Sequence, residues 1–552
     1  MSNDYVWDAP GPGPWQQDSA HNPVSQSRLM QQIYPAGFNR GFEETFAAYG
    51  LLLDRLAMGV VNGFTYHQPQ PFDMPGPDGP KDPQWLGAEV GRRAGVAAAA
   101  VEGRIWRDAM QRWDNELKPA SERRHRELGS IDLGTLDVAE LRDHVRACAA
   151  QVGAMVYQHH VHNCHALVPV GDFMLQTAGW THRNPATLFA VLDGYSPVSN
   201  VSPPEMHAAL GAIRADAAAL ALLESDRPAA EVIVELRALL PEVDDYVGGV
   251  HFRVLDGFDV TNPTIGERPE SIVGRLRAAM NVDHDASPKR ADEFAAELRE
   301  ATPEGDRDAF DDLLREARLV YRLRDERGLY SDIPSIGLLR LGVLELGRRL
   351  AADGRISAAD DLLDADLDEI DAIVGGDATP TADDLRLRGI ERVALSHAGP
   401  PRYLGPPPPP HPPLDALPPQ LGRVMGAVGF TIDGILGQLD RAGGDASTII
   451  GIPGAAGVYE GPARLVRSID DLFDLEQGDV LVAPTTGEAF NSMLHLVGAI
   501  VTDHGSFASH AAIVSREMGF PAVVGTVDGT RRITNGTRLR VDGTTGQVTI
   551  LE

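Results

Sequence analysis

The sequence predicts a multidomain chain, with a large, mainly α-helical part followed by a smaller C-terminal α/β domain. Three observations carry that prediction. Apolar residues recur every three or four positions through most of the chain up to Leu350, which is the period of one helix face. From about residue 449 the texture changes to short apolar runs separated by turn dipeptides such as Asn535-Gly536 and Asp542-Gly543. Between the two lie Pro400-Pro401, Pro406 to Pro410, Pro412-Pro413 and Pro418-Pro419, the composition of a semi-rigid spacer. The boundaries so read are a helical domain over 1–373, a Pro-rich linker or hinge over 374–446, and an α/β domain over 447–552.

A chain of 552 residues can build three or so cores, and 43% hydrophobic with 23% charged residues is ordinary for a globular protein. The net charge of −30 argues against nucleic acid or an anionic membrane as the main partner. Two cysteines, Cys148 and Cys164, make neither a disulfide framework nor a zinc cluster. The first residues carry no basic segment followed by an apolar run, and no stretch is apolar for long enough to span a bilayer. The expected compartment is the cytoplasm.

In chain order, residues 1–35 are rich in Pro, Gly, Gln and Ser and are expected to be mostly extended. They contain Trp15-x-x-Asp18-x-x-His21-x-Pro23, whose simplest reading is an anchoring Trp beside a capping Asp. Phe42, Phe46, Tyr49, Leu53 and Leu56 predict one helix face. A loop is expected through Pro69, Pro71, Pro75, Pro77 and Pro80, then a helical block from Gly87 to Leu117. Asp137-x-x-Glu140 is a capping box with Asp in place of Ser or Thr. It opens a stripe of Leu141, Val145, Cys148, Val152, Met155, His159 and His162. Two histidines therefore face the interior. Either they are satisfied structural histidines, or they line an acceptor pocket; an i,i+3 pair also suits a metal, but no nearby Asp or Glu completes the set.

Residues 204–240 read as alanine-rich helix, and Gly248 to Pro269, with His251 and Arg253, as a structured loop. Two long helices are expected between Arg307 and Leu350. The first has a basic edge that includes Arg324. The second is apolar nearly all round yet carries Arg340, Arg348 and Arg349. Those arginines either pair with Glu345 and the nearby aspartates or meet a phosphate. Strands are expected at 463–466, 479–483, 499–502, 522–524, 538–541 and 548–551.

Among these strands lies Thr502-Asp-His504-Gly505-Ser-Phe-Ala508-Ser509-His510, leading into Ala511–Met518. Ser509 is a natural N-cap, Gly519 stops the helix and Pro521 blocks its continuation. His510 thus stands at a helix mouth, where unpaired N–H groups and the helix dipole favour an anion.

Gly478-Asp-Val-Leu-Val, Thr485-Thr486, Ala499-Ile-Val-Thr-Asp503, Gly505, Ser509-His-Ala-Ala-Ile-Val, Arg516-Glu517, Gly519-x-Pro521-Ala-Val-Val-Gly525 and Val541-Asp-Gly-x-x-Gly546 occur in order and spacing. This string resembles the swivelling phosphohistidine domain of the phosphoenolpyruvate-utilising enzymes. His504 stands where that family usually has a second glycine. It either assists phosphate binding or points to solvent. The Trp15 motif, the Arg253-to-Pro269 loop and Leu344-Glu-Leu-Gly-Arg-Arg-Leu more loosely resemble the helical acceptor region of rifampin phosphotransferase and of the phenylphosphate synthase histidine subunit.

The resemblance implies that His510 carries a phosphoryl group, with Gly505, Ser509, Arg516 and His504 supporting its loop. His159, His162, His251 and Arg253 are candidates at the acceptor, and Arg324, Arg348 and Arg349 for phosphate clamping. No metal-binding residues are assigned. The chain opens directly on the helical region and shows no glycine-rich nucleotide loop with its lysine. The expected function is therefore that of a histidine-carrying subunit. A separate ATP-grasp subunit would bind ATP with Mg²⁺ or Mn²⁺, and the acceptor would be a small, phenolic or other hydroxyl compound. A self-sufficient antibiotic-type phosphotransferase and a non-catalytic scaffold are the alternatives.

Overall fold

The computed structural model describes residues 5–19, 21–74, 81–198, 204–280, 286–377, 379–406, 413–436, 447–487, 490–491 and 493–551. It forms two compact units, each assembled from three stretches of chain. The first takes 1–166, 252–263 and 326–426; the second takes 167–251, 264–325 and 427–552. No single helix among the described residues is long and apolar enough to cross a membrane.

The first unit is built on helices Arg28–Ala48, Val138–Val161 and Ile333–Ala352. The predicted capping box starts the second of these: Glu140 N–H donates to Asp137 at 2.8 Å and Asp137 N–H to Glu140 at 2.9 Å. Its stripe is buried as read, with Leu141, Val145, Cys148 and Val152 fully covered. Glycines let the first two helices touch. A Cβ on Gly37 would stand 2.7 Å from the Gly153 carbonyl, and one on Gly41 2.6 Å from His160 Cβ. That close approach seats His160 against Phe38 and Phe42, with ring centroids 4.4 and 5.2 Å away. Ile333–Ala352 is buried on most sides, as its composition predicts, and its Arg340 donates to the Val260 carbonyl at 2.7 Å.

Several local expectations are corrected here. The expected extended segment stops short of residue 35: helix Arg28–Ala48 begins behind the N-cap Ser27. Leu53 and Leu56 do not continue it, because the chain reverses at Gly50 (φ +63°). They lie in strand β2 (Leu53–Val61), which pairs with β3 (Phe64–Pro71) across Asn62-Gly63. Both turn residues have positive φ, the requirement of a tight hairpin turn. Pro69 and Pro71 are thus strand residues, while Pro75, Pro77 and Pro80 lie outside the described residues. The helical block at 87–117 is two helices, Pro83–Gly103 and Ile105–Arg112, followed by a π-helical turn, Trp113–Leu117.

The expected spacer also holds regular structure. Ala382–Ala398 is helical, and β4 (Tyr403–Leu404) pairs with β1 (Trp15–Gln17). The order of this four-stranded sheet is β2-β3-β1-β4, packed on Trp15, Phe64, Tyr66, Leu395 and Leu404. Tertiary pairing has overridden the proline signal at 400–404. Residues 407–412, the middle of the polyproline run, lie outside the described residues.

The second unit combines helices with an eight-stranded sheet of order β5-β12-β11-β7-β8-β9-β10-β6. Its strands are β5 (Thr448–Ile450), β6 (Ile452–Ala455), β7 (Val458–Leu465), β8 (Asp479–Ala483), β9 (Val497–Thr502), β10 (Ala522–Val524), β11 (Arg538–Asp542) and β12 (Gln547–Ile550). All six expected strands are present, and β5 and β6 are additional. β7, β8, β9 and β10 run parallel, and the other pairings are antiparallel. Ala463, Val480, Val482, Ala499, Val501, Val523 and Val541 fill the core. Helix His510–Met518 connects β9 to β10, a parallel crossover that leaves its N-terminus beyond the carboxyl end of β9.

Candidate functional site

In the second unit, His510 is the first residue of its helix. Thr486, on the loop after β8, bonds its Nδ1 at 2.9 Å. Nε2 is buried and has no hydrogen-bond partner among the described residues. When the Thr486 hydroxyl accepts from Nδ1–H, the lone pair resides on Nε2, which is the nitrogen able to act as a nucleophile. Burial, assisted by the positive charge of Arg324, lowers the His510 pKa to about 4. The ring is neutral near pH 7.

Ser509 occupies the N-cap position with extended backbone, as expected, but its hydroxyl makes no capping bond. The capping expectation is corrected: Ser509 leaves the N–H groups of the first turn for another acceptor. Gly505 has φ +105°, and a Cβ there would come within 2.8 Å of Ser509 Oγ. His504 is anchored through its backbone, its N–H bonding the Pro484 carbonyl at 2.9 Å. Arg516 braces the loop. It donates to the Phe507 carbonyl at 2.9 Å and the Gly454 carbonyl at 3.0 Å, and pairs with Asp193 at 3.3 Å.

Arg324 approaches the same loop, donating to the Ala508 carbonyl at 3.1 Å. Asp325 orients it at 3.0 Å and itself accepts from the Ser196 hydroxyl at 2.6 Å. A cation two residues from the free histidine nitrogen suits an anionic group on that nitrogen. His251 stands elsewhere in this unit, its Nδ1 2.9 Å from the Gly248 carbonyl in a local turn.

The first unit holds a second cluster. A π-helical turn, Gly328–Asp332, buries Tyr330 and Asp332. Such turns insert one residue into a helix and re-aim side chains, often at sites. Asp332 Oδ2 lies 2.9 Å from His159 Nδ1, both groups being covered. Burial outweighs the backbone N–H groups and Arg327 and raises the Asp332 pKa to about 8. Burial, with Arg327, pushes His159 well below its ordinary value. Near pH 7 the pair is therefore a neutral carboxyl beside a neutral imidazole, close in distance but without hydrogen-bond geometry among the described residues. His162 bonds the Gln158 carbonyl at 2.7 Å and packs edge-on to Trp113, a satisfied structural histidine. Arg253 is buried over the Tyr330 ring, which also receives Lys118 at 3.9 Å.

Arg348 and Arg349 do not form the expected clamp. Both bond Glu345, at 2.5 and 2.8 Å, and Arg348 is 62% exposed. One helical turn separates each from that carboxylate, so the local ion pair wins. Five chemical residues went unassigned from sequence. Thr486 lay inside the motif string. Asp325 and Asp332 carried no local signal. Asp18 was read as a cap, and His21 was left without a role.

The fold and site define a class: an α/β domain presenting a histidine at a helix N-terminus. Residues 475–546 match the family described as PEP-utilising enzyme, mobile domain. The chain is 31% identical to a chondramide synthase of Chondromyces crocatus over 57% of its length and 8% of that protein's. It is 28% identical to a rifampicin phosphotransferase of Streptomyces sviceus over 56% of the chain and 34% of the relative. An uncharacterised Bacillus subtilis phosphotransferase is 27% identical over 60% and 39%. Residues 475–546 thus carry a PEP-utilising enzyme mobile domain, and the chain is related in sequence to the rifampicin phosphotransferases. Its aligned part spans well under half the length of these three relatives.

Proposed function

We propose that this chain is the histidine-carrying component of an ATP-dependent phosphotransferase acting in the cytoplasm. A separate ATP-grasp subunit binds ATP with Mg²⁺ or Mn²⁺. His510 Nε2 takes the phosphoryl group, and a hydroxyl of a small, phenolic acceptor receives it. The observation that carries this reading is the ring of His510, held at Nδ1 by Thr486 and free at Nε2 beside Arg324.

Each residue has a role in that scheme. Thr486 accepts from Nδ1–H, so Nε2 attacks as a neutral nucleophile. The phosphorylated ring is an imidazolium, and on transfer it leaves as neutral imidazole rather than imidazolate. Arg324 and the first-turn N–H groups offset the phosphoryl charge. The acceptor hydroxyl is handled by the first unit, where His159 beside the buried Asp332 is the candidate partner. Among the described residues no group of three or more His, Cys, Asp or Glu side chains is placed to hold a metal ion.

The test is direct. With ATP, Mg²⁺ and the cognate ATP-binding protein, His510 gains an acid-labile phosphoryl, and His510→Ala abolishes both labelling and transfer. Transfer surviving in that variant overturns the proposal.

A further inference from the structure

Helix Ala382–Ala398 of the first unit is fastened along one face and exposed along the other. Its inner face buries Leu385 and Leu395. Two ion pairs complete that face, Arg388 with Glu369 and Arg392 with Asp364, each at 2.8 Å. The Ser25 N–H adds a bond to Ser396 Oγ at 3.0 Å. The outer face presents Leu387, Ile390 and Val393, which are 56%, 56% and 49% exposed. The exposed Val24 is the chain neighbour of Ser25 and stands beside the last turns of the helix. A single apolar side chain on a surface needs no explanation, but three on one helix face form a patch that water covers poorly.

The order of residues along this face points to its occupant. Asp383, Leu387, Ile390, Ala394 and His397 follow one another at steps of four, three, four and three, the spacing of a helix–helix seam, and all five are exposed. The seam is complementary to itself about its middle residue. Asp383 lies seven residues before Ile390 and His397 seven residues after it, about 10 Å of helix on either side. When two copies of the helix pack antiparallel about a two-fold axis at Ile390, Asp383 of each copy falls opposite His397 of the other. A carboxylate then meets an imidazole at both ends, with Leu387, Ile390 and Val393 between them. A parallel pairing would set Asp383 against Asp383. The Asp383 carboxylate is 79% exposed beside Arg386, 3.5 Å away, so it has room for a contact from a second chain.

We propose that the outer face of helix Ala382–Ala398 is an isologous interface, on which a second copy of this chain docks antiparallel about a two-fold axis at Ile390. Leu387, Ile390 and Val393 form its apolar centre, and the two Asp383–His397 contacts form its polar rim. One helix face is smaller than a standard interface, so the dimer is a reversible one that concentration controls. The net charge of −30 on each copy opposes association, and salt screens that repulsion. The inference does not depend on the phosphotransferase reading.

The experiment is sedimentation velocity of the full chain at about 0.15 M salt, with protein raised to about 100 μM. The wild type is expected to pass from monomer to dimer over that range. Ile390→Asp is expected to stay monomeric with unchanged thermal unfolding, because the side chain is exposed in the single chain. Asp383→Lys should weaken the dimer about 5–30-fold, since two symmetric rim contacts are lost together. Adding His397→Glu to that variant should restore the affinity. Within one chain the two positions stand about 21 Å apart along the helix, more than two Debye lengths, so the rescue can come only from contact between copies. Ile390→Cys should oxidise to a linked dimer, whereas the native Cys148 and Cys164 are buried. A wild type that stays monomeric, a dimer that Ile390→Asp leaves intact, or a double variant no tighter than Asp383→Lys overturns the proposal.

Discussion

Asp332 provides a prediction whose magnitude can be worked through. Replacing it by Asn keeps the shape and a polar partner for His159 but removes an ionisable group. Burial raises its pKa from the ordinary 3.8 to about 8. Between those values the folded chain keeps a proton that the unfolded chain has released. Stability therefore falls as pH rises across this window, and the loss is complete above about pH 8. At about 1.4 kcal/mol per unit, the penalty at pH 7 is on the order of 4 kcal/mol as an upper bound. Asp332→Asn should accordingly match the wild type near pH 4 and gain stability progressively up to pH 8. Five of the six tryptophans, Trp7, Trp15, Trp85, Trp106 and Trp113, lie in the first unit, so urea unfolding followed by fluorescence reports on this region. A stability difference that does not change with pH, or a variant less stable than wild type at pH 8, would refute the reasoning. Under the proposed function the same variant loses phosphoryl transfer. A gain in stability with a loss of activity would separate a functional buried acid from a structural one.

Three further outcomes follow from the histidine site. Thr486→Val, nearly isosteric, frees the His510 ring to change tautomer; labelling of His510 should fall about 10–100-fold while thermal unfolding stays close to wild type. Gly505→Ala places a Cβ at φ +105° and against Ser509 Oγ, costing roughly 1–3 kcal/mol locally; labelling should be lost, and an unaffected variant would show that the loop moves freely. Arg324→Gln removes a cation that helps hold the His510 pKa down at about 4, so the imidazole should titrate higher in a ¹H–¹⁵N NMR titration. The pH at which labelling falls to half should rise with it.

Much of the molecule was legible locally. The capping box at Asp137, the buried stripe through Val152, six strands of the last domain and the stop at Gly519 all depend on residues within one or two turns of each other. The misreadings have the same origin in reverse. Leu53 and Leu56 kept the helical period by coincidence, and only the positive-φ turn at Asn62-Gly63 marks a hairpin. Pro400-Pro401 carried a spacer's composition, yet the neighbouring Tyr403 and Leu404 found a strand partner far back in the chain.

The sequence by itself determined where a histidine meets a helix mouth, and through its flanking strands which family's mobile domain surrounds that histidine. It also determined which helix faces are apolar, because periodicity is a property of neighbours. Tertiary structure decided the chemistry of the polar groups. Charge and proton position depend on burial and on partners remote in sequence: Thr486 for His510, Asp332 for His159, and Phe258 between His159 and His21. Arg348 and Arg349, alike in sequence to a phosphate clamp, were claimed by a carboxylate one turn away. Arg324, on the same kind of basic edge, was carried to the histidine loop.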